Sequence, residues 1–263
     1  MIDDRVRRGG AAKVVIAALA IAASALSPAA GHGRDEAPNL VPLPAFDVVV
    51  GRADHGRGPA LRFSVSVANR GDVAFDLFGS PEADGSARAL QCTDWIEKVC
   101  TARSDVGAFQ WHRDHGHFHL QDFAEYELRR VDRGGRPVPG RGGLVATSGK
   151  VSFCIFDTER DRPSEGPADD VPNPLYSSCT MGTGTQGISP GWRDTYGFLL
   201  PGQQFLLDDV RDGRYAVVVH LDPENRFFQS TPEDDSSWTV VDITTDPKGR
   251  RHVRLRPPLS PRG

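Results

Sequence analysis

Four of the eight histidines in this 263-residue chain fall within nine residues, Trp111-His-Arg-Asp-His-Gly-His-Phe-His119, and His115, His117 and His119 are spaced two apart. A β-strand sends alternate side chains to one face, so this spacing lets three imidazoles point the same way. Imidazole is the commonest protein ligand for copper, zinc, nickel and iron, which makes a transition-metal site the first expectation. On a straight strand the outer two α-carbons would stand about 13 Å apart, at about 3.3 Å per residue. Metal–nitrogen bonds of roughly 2.0 Å barely span that gap. Some bend is needed, and Gly116 is the residue that tolerates one. His112 is out of phase with the three and reads as a supporting neighbour, whereas His32, His55, His220 and His252 are isolated and read as ordinary polar residues. Three nitrogens do not name the metal: zinc held this way activates water, whereas copper or iron brings redox chemistry with dioxygen.

The elements that must carry these histidines have a period of two. Leu61, Phe63, Val65 and Val67 alternate with Arg62, Ser64 and Ser66 before the turn residues Asn69-Arg70-Gly71-Asp72. Val151, Phe153 and Ile155 alternate in the same way, as do Tyr215, Val217, Val219 and Leu221, and Trp238 to Ile243 makes a last strand candidate. Past the histidines, Phe118, Leu120, Ala124, Tyr126 and Leu128 share one phase, with Asp122 and Phe123 interrupting it. No long stretch has helical periodicity. With 28 glycines and 20 prolines punctuating short strands, the expected fold is all-β, an antiparallel β-sandwich with long irregular loops. The longest such loop runs from Asp157 to Tyr176.

Residues 1–30 combine Arg5, Arg7, Arg8 and Lys13 with the apolar run VVIAALAIAASAL and a small-residue Ser-Pro-Ala-Ala segment. That is the pattern of a secretory signal peptide, and the apolar run is shorter than the roughly 20 residues of a membrane span, so no stable anchor is expected. Residues 31–40 read as a flexible leader and 41–263 as a single domain of an exported protein. The full chain has a net charge of −4 and a mean hydropathy of −0.39. An acidic surface is a poor match for nucleic acid. An even count of cysteines in an exported chain favours disulfides, and short-range pairing joins Cys92 to Cys100 and Cys154 to Cys179, with two other connectivities open.

Three segments in order, WHRDHGHFHLQDFAEYEL at 111–128, GKVSFC at 149–154 and GISPGWRDTYG at 187–197, resemble the catalytic domain of the lysyl oxidases. The resemblance runs from about Leu61 to Ile243. It implies that His115, His117 and His119 are copper ligands and that Lys150 and Tyr196 are crosslinked into lysine tyrosylquinone. It further implies oxidation of a primary amine, or of a lysine-containing protein, by dioxygen to give an aldehyde, ammonia and hydrogen peroxide. Independently of the family, residues 31–263 contain only Lys98, Lys150 and Lys248, and only Tyr126, Tyr176, Tyr196 and Tyr215, so few lysine–tyrosine pairs exist. Such a crosslink needs a neutral amine, so burial should depress the pKa of Lys150.

Departures from the animal enzymes are Asp114 and Trp192 where those carry cysteine, and Glu125 where they carry histidine. Glu125 is therefore the candidate catalytic base. The competing reading is a non-catalytic, secreted copper- or zinc-binding β-sandwich, which keeps the histidines and needs neither Lys150 nor Tyr196. A mononuclear hydrolase or oxygenase that uses the histidines directly is a further alternative.

Overall fold

The period-two segments become strands in the structure, a computed structural model that describes residues 37–56, 58–82, 86–96, 99–113, 116–150, 152–161, 174–179 and 185–256. In chain order the first are β1 (Leu40–Pro42), β2 (Phe46–Arg52), β3 (Pro59–Asn69), β4 (Phe75–Pro81), β5 (Ala87–Ile96) and β6 (Val99–His112). The middle of the chain gives β7 (His117–Gln121), β8 (Ala124–Arg130), β9 (Leu144–Thr147), β10 (Ser152–Phe153), β11 (Glu159–Arg160) and β12 (Thr185–Ile188). The last are β13 (Trp192–Tyr196), β14 (Gln204–Leu206), β15 (Gly213–Leu221), β16 (Ser236–Thr245) and β17 (Arg251–Leu255). They form three antiparallel sheets, in keeping with the expected all-β sandwich. The first centres on β3, which pairs with β1, β2, β13 and β14, while β11 extends it beyond β13. The second runs β10-β7-β6-β5-β4-β12 and the third β17-β16-β15-β8-β9.

All three sheets feed one core. Phe63 packs edge-on against Tyr126 at 5.3 Å and stacks on Phe205 at 4.9 Å, and Phe123 and Phe153 meet at 5.5 Å. Taking such a side chain out of water stabilises the fold by roughly 1.5–3 kcal/mol each. Because β3 has neighbours on every side, its polar alternates are as buried as its apolar ones. Ser66 Oγ and Thr195 Oγ1 lie 2.7 Å apart, Ser64 donates to Asp47, and Arg62 pairs with Asp54 at 2.5 Å while donating to the carbonyls of Phe198 and Leu200. Arg62, Ser64 and Ser66 thus each have the partner that burial demands.

Four expectations change. The histidine segment is not one strand: β6 ends at His112, the chain turns, and β7 returns beside it. Nor does β7 continue into β8, because Asp122 takes a left-handed backbone, φ 56°, and passes the chain from the second sheet to the third. An Asp tolerates this conformation better than most residues. The Trp238–Ile243 strand is followed by another, β17, paired with β16. The leader expected over residues 31–40 lies outside the described residues up to position 36, but Ala37 and Leu40 are buried and Asn39 is tied to Asn69, so its end belongs to the packed unit. The proposed signal segment, 1–30, also lies outside the described residues. Among the described residues no helix is long and apolar enough to cross a membrane. Disulfides join Cys92 to Cys100 and Cys154 to Cys179, the short-range pairing.

Candidate functional site

The turn between β6 and β7 brings the histidines together by a route that strand phase alone does not supply. Gly116, at φ +69°, donates its amide to the His112 carbonyl at 2.9 Å and sets His112 opposite His117 in register. The Nε2 atoms of His117 and His119 converge to 2.9 Å, and the His112 ring stacks on His119 at 4.8 Å. On the opposite face of the same two strands Trp111 and Phe118 meet edge to face at 5.1 Å. His115 lies outside the described residues. Two imidazole nitrogens at this separation can share a proton, and equally two bonds of about 2.0 Å to one ion, at near a right angle, bring nitrogens to about this distance. The donor set therefore fits a transition metal. Cys154 and Cys179 place their sulfurs within 4.8 Å of a ring nitrogen of His117, but both are committed to the disulfide and offer no thiolate.

The second half of the site grows from β10, which pairs with β7 through Ser152 opposite Gln121 and Phe153 opposite Leu120. Ser152 Oγ lies 3.3 Å from His119 Nδ1, so the segment that follows Lys150 also holds a candidate ligand ring. Gln186, fully buried, accepts from the Ile155 amide at 2.9 Å and donates to the Phe118 carbonyl at 2.7 Å, clamping the two strands. Lys150 reaches inward, with Nζ 4.9 Å from the Phe153 ring centroid and 5.4 Å from that of Tyr196. Gly202 makes room for it: at φ +81° its position favours glycine, and a Cβ there would come within 2.9 Å of Lys150 Cβ. Ser148 Oγ donates to the Gly202 carbonyl at 2.5 Å and accepts the Lys150 amide at 3.2 Å.

Tyr196 is 5 % exposed and meets Phe153 edge to face at 5.0 Å. Its hydroxyl lies 2.7 Å from the Cys154 carbonyl and is also hydrogen-bonded to Asp194 Oδ2. Cys154 thereby joins the two halves, its carbonyl on Tyr196 and its sulfur beside His117. Burial lowers the pKa of Lys150, against the pull of Asp194 in the other direction. Burial also raises Tyr196, helped by the Asp194 charge, and raises Asp194 well above the carboxylate range, opposed by the Tyr196 hydroxyl and the Phe156 amide. This is a largely buried cluster of titratable groups, each pushed toward its neutral form.

The profile of the lysyl oxidase family matches residues 88–246, more than half of the chain. The chain belongs to the lysyl oxidase family. Among curated members, it is 32% identical to the protein-lysine 6-oxidase of Homo sapiens over 135 residues, covering 51% of this chain and 27% of that one. It is also 32% identical to lysyl oxidase homolog 1 of Homo sapiens over 123 residues, 46% of this chain and 18% of the relative. Lysyl oxidase homolog 3B of Danio rerio is 30% identical over 151 residues, 56% and 16% respectively. The chain thus spans well under half the length of these lysyl oxidase relatives.

Within this family member the structure links the Lys150–Tyr196 pair to His117 and His119 through Ser152 and Cys154, and it places Glu125 on the third sheet. Glu125 sits opposite His220 on the face of β8 away from Tyr126, in a row with Ser236 of β16. The buried residue that the sequence reading missed is Asp194, 0 % exposed. Its signal was present: it stands two residues before Tyr196 on the same strand, hence on the same face.

Proposed function

We propose that the protein is a copper-dependent amine oxidase that converts primary amines, lysine side chains among them, to aldehydes with dioxygen as oxidant and ammonia and hydrogen peroxide as further products. The observation that carries the reading is the Lys150 amine poised over the Tyr196 ring at 5.4 Å, beside two converging imidazoles. His117 and His119, with His115 from the family motif, would hold copper, and Lys150 and Tyr196 would supply lysine tyrosylquinone. That pair of groups, when present, provides an electron sink and a path to dioxygen.

The chain's own residues prepare the site. Burial holds Lys150 toward the free amine, the form that can attack a ring carbon. Phe153 lies against both partners and gives the pair an apolar wall. Ser152 fixes the orientation of His119. Glu125 is the proposed base for the substrate carbon, so amine oxidation at the wild-type rate by Glu125→Gln would remove it from the mechanism. The two disulfides support an exported protein, with residues 1–30 as the export signal and 41–263 as the catalytic domain.

The test is to load the protein with copper in air and analyse its peptides by mass spectrometry. A covalent Lys150–Tyr196 bridge and amine-dependent peroxide are expected. Intact, separate peptides from a fully copper-loaded sample would favour a metal-binding module instead.

A further inference from the structure

The Tyr196 hydroxyl has one proton but two oxygens within hydrogen-bond reach, the Cys154 carbonyl and Asp194 Oδ2. The heavy-atom geometry is the same whichever oxygen carries the proton between Tyr196 and Asp194. If Asp194 is ionised, only one of these contacts is made well, and a carboxylate sits fully buried. Its Oδ1 has no hydrogen-bond partner among the described residues, and it has no ion pair with an arginine there. If Asp194 is a neutral acid, both contacts are satisfied in a chain: its O–H donates to the Tyr196 oxygen, and Tyr196 donates onward to the Cys154 carbonyl.

We infer that Asp194 is a catalytic residue held as a neutral carboxylic acid, donating its proton to the Tyr196 oxygen, the atom that the proposed cofactor would retain. The role rests on the oxidase reading; the protonation state does not. The Phe156 amide favours the anion, but the titratable groups facing Asp194 favour the neutral acid. Lys150, on the loop before β10, is depressed by burial, Tyr126 of β8 and Tyr196 of β13 are raised by it, and Asp157, just beyond β10, adds a further carboxyl that opposes ionisation of Asp194. A neutral Asp194 also offers no anion to retain a proton on Lys150, so the amine stays nucleophilic. When negative charge develops on the Tyr196 oxygen, the proton moves from Asp194 Oδ2 to that oxygen. The electrons of the broken O–H bond remain on Oδ2, leaving a carboxylate.

The test begins with full-length, metal-free protein at neutral pH, by infrared difference spectroscopy of wild type against Asp194→Asn. A carbonyl band of a protonated carboxylic acid, lost in the variant, is expected; a carboxylate signature in its place overturns the inference. Tyr196→Phe serves independently, including where the first variant does not fold. It removes the acceptor and should shift that band, and an unmoved band overturns the donor assignment. With copper and air, Asp194→Asn, whose amide can still donate, should form the Lys150–Tyr196 bridge within about tenfold of the wild-type rate, whereas Asp194→Leu should slow it by roughly a hundredfold at equal copper content. Equal rates in all three overturn the catalytic role. A wild-type protein that shows the acid band but never forms the bridge refutes the oxidase reading and leaves the protonation state standing.

Discussion

Two carboxylates on neighbouring sheets meet opposite fates. Glu127 of β8 is 7 % exposed and receives Arg129 Nε at 2.5 Å and Nη2 at 2.9 Å, with His220 Nε2 a further 2.9 Å away. Although its own burial works the other way, these partners bring its pKa below the ordinary carboxylate value. Asp194 is buried more deeply, with no exposed surface; its neighbours are two phenols and an amine that can lose its charge, and its pKa goes up. Deeper burial and the lack of a guanidinium act together on Asp194, whereas at Glu127 the partners outweigh a milder burial. A guanidinium cannot be neutralised and fixes the carboxylate beside it, whereas lysine and tyrosine leave the carboxyl free to keep its proton.

The strongest way to break the contrast is to give Asp194 the kind of partner that Glu127 has. Lys150→Arg should ionise Asp194, erase its acid band in the infrared and abolish amine-dependent peroxide; a retained acid band would show that partner identity is not what sets the charge. A milder disturbance is Gly202→Ala, where the new methyl presses on Lys150 from a backbone at φ +81°. Crosslinking should slow by about tenfold, with a loss of about 1–2 kcal/mol in urea unfolding, while the Glu127 cluster stays intact. Glu127→Gln tests the other side. It should cost roughly 1–3 kcal/mol in the same measurement, by leaving Arg129 without its anion, and amine oxidation should be unchanged.

The smallest effects are in the pH dependence of stability. Glu127 has a lowered folded pKa, so its contribution is present above the ordinary carboxylate pKa and is lost as pH falls through the folded value. Asp194 has a raised one, so its contribution is present at low pH and is lost as pH rises through the folded value. Thermal unfolding across pH should therefore show Glu127→Gln flattening the acid limb and Asp194→Asn flattening the rise in cost toward alkaline pH. Matching profiles for the two variants would dissolve the distinction.

How much of this was legible in the sequence follows from the range of each interaction. The His117–His119 spacing, the alternation of Leu61 to Val67 and the Cys154–Cys179 pairing are close-range features, and they are found as read. His112 against His119 depends on cross-strand register, which a turn at Gly116 creates and periodicity cannot reveal. The burial of Ser64 and Ser66 depends on how many strands crowd β3, again invisible along the chain. Strand phase also fails to carry past Asp122, whose left-handed backbone hands the chain from the histidine sheet to the sheet that holds Glu125. Asp194 was in plain view beside Tyr196. What marks it out is the company it keeps in space, not its neighbours in the chain.

Cys154 ties a disulfide to the proposed crosslink, because its sulfur bonds to Cys179 while its carbonyl accepts from the Tyr196 hydroxyl. This implies an order of ripening. A newly made chain with free thiols would hold the tyrosine less firmly, so under the proposed function the sulfur bond would come first and the change to the aromatic ring afterwards. Maturation would then be gated by folding, with no reactive carbonyl exposed on an unfinished chain.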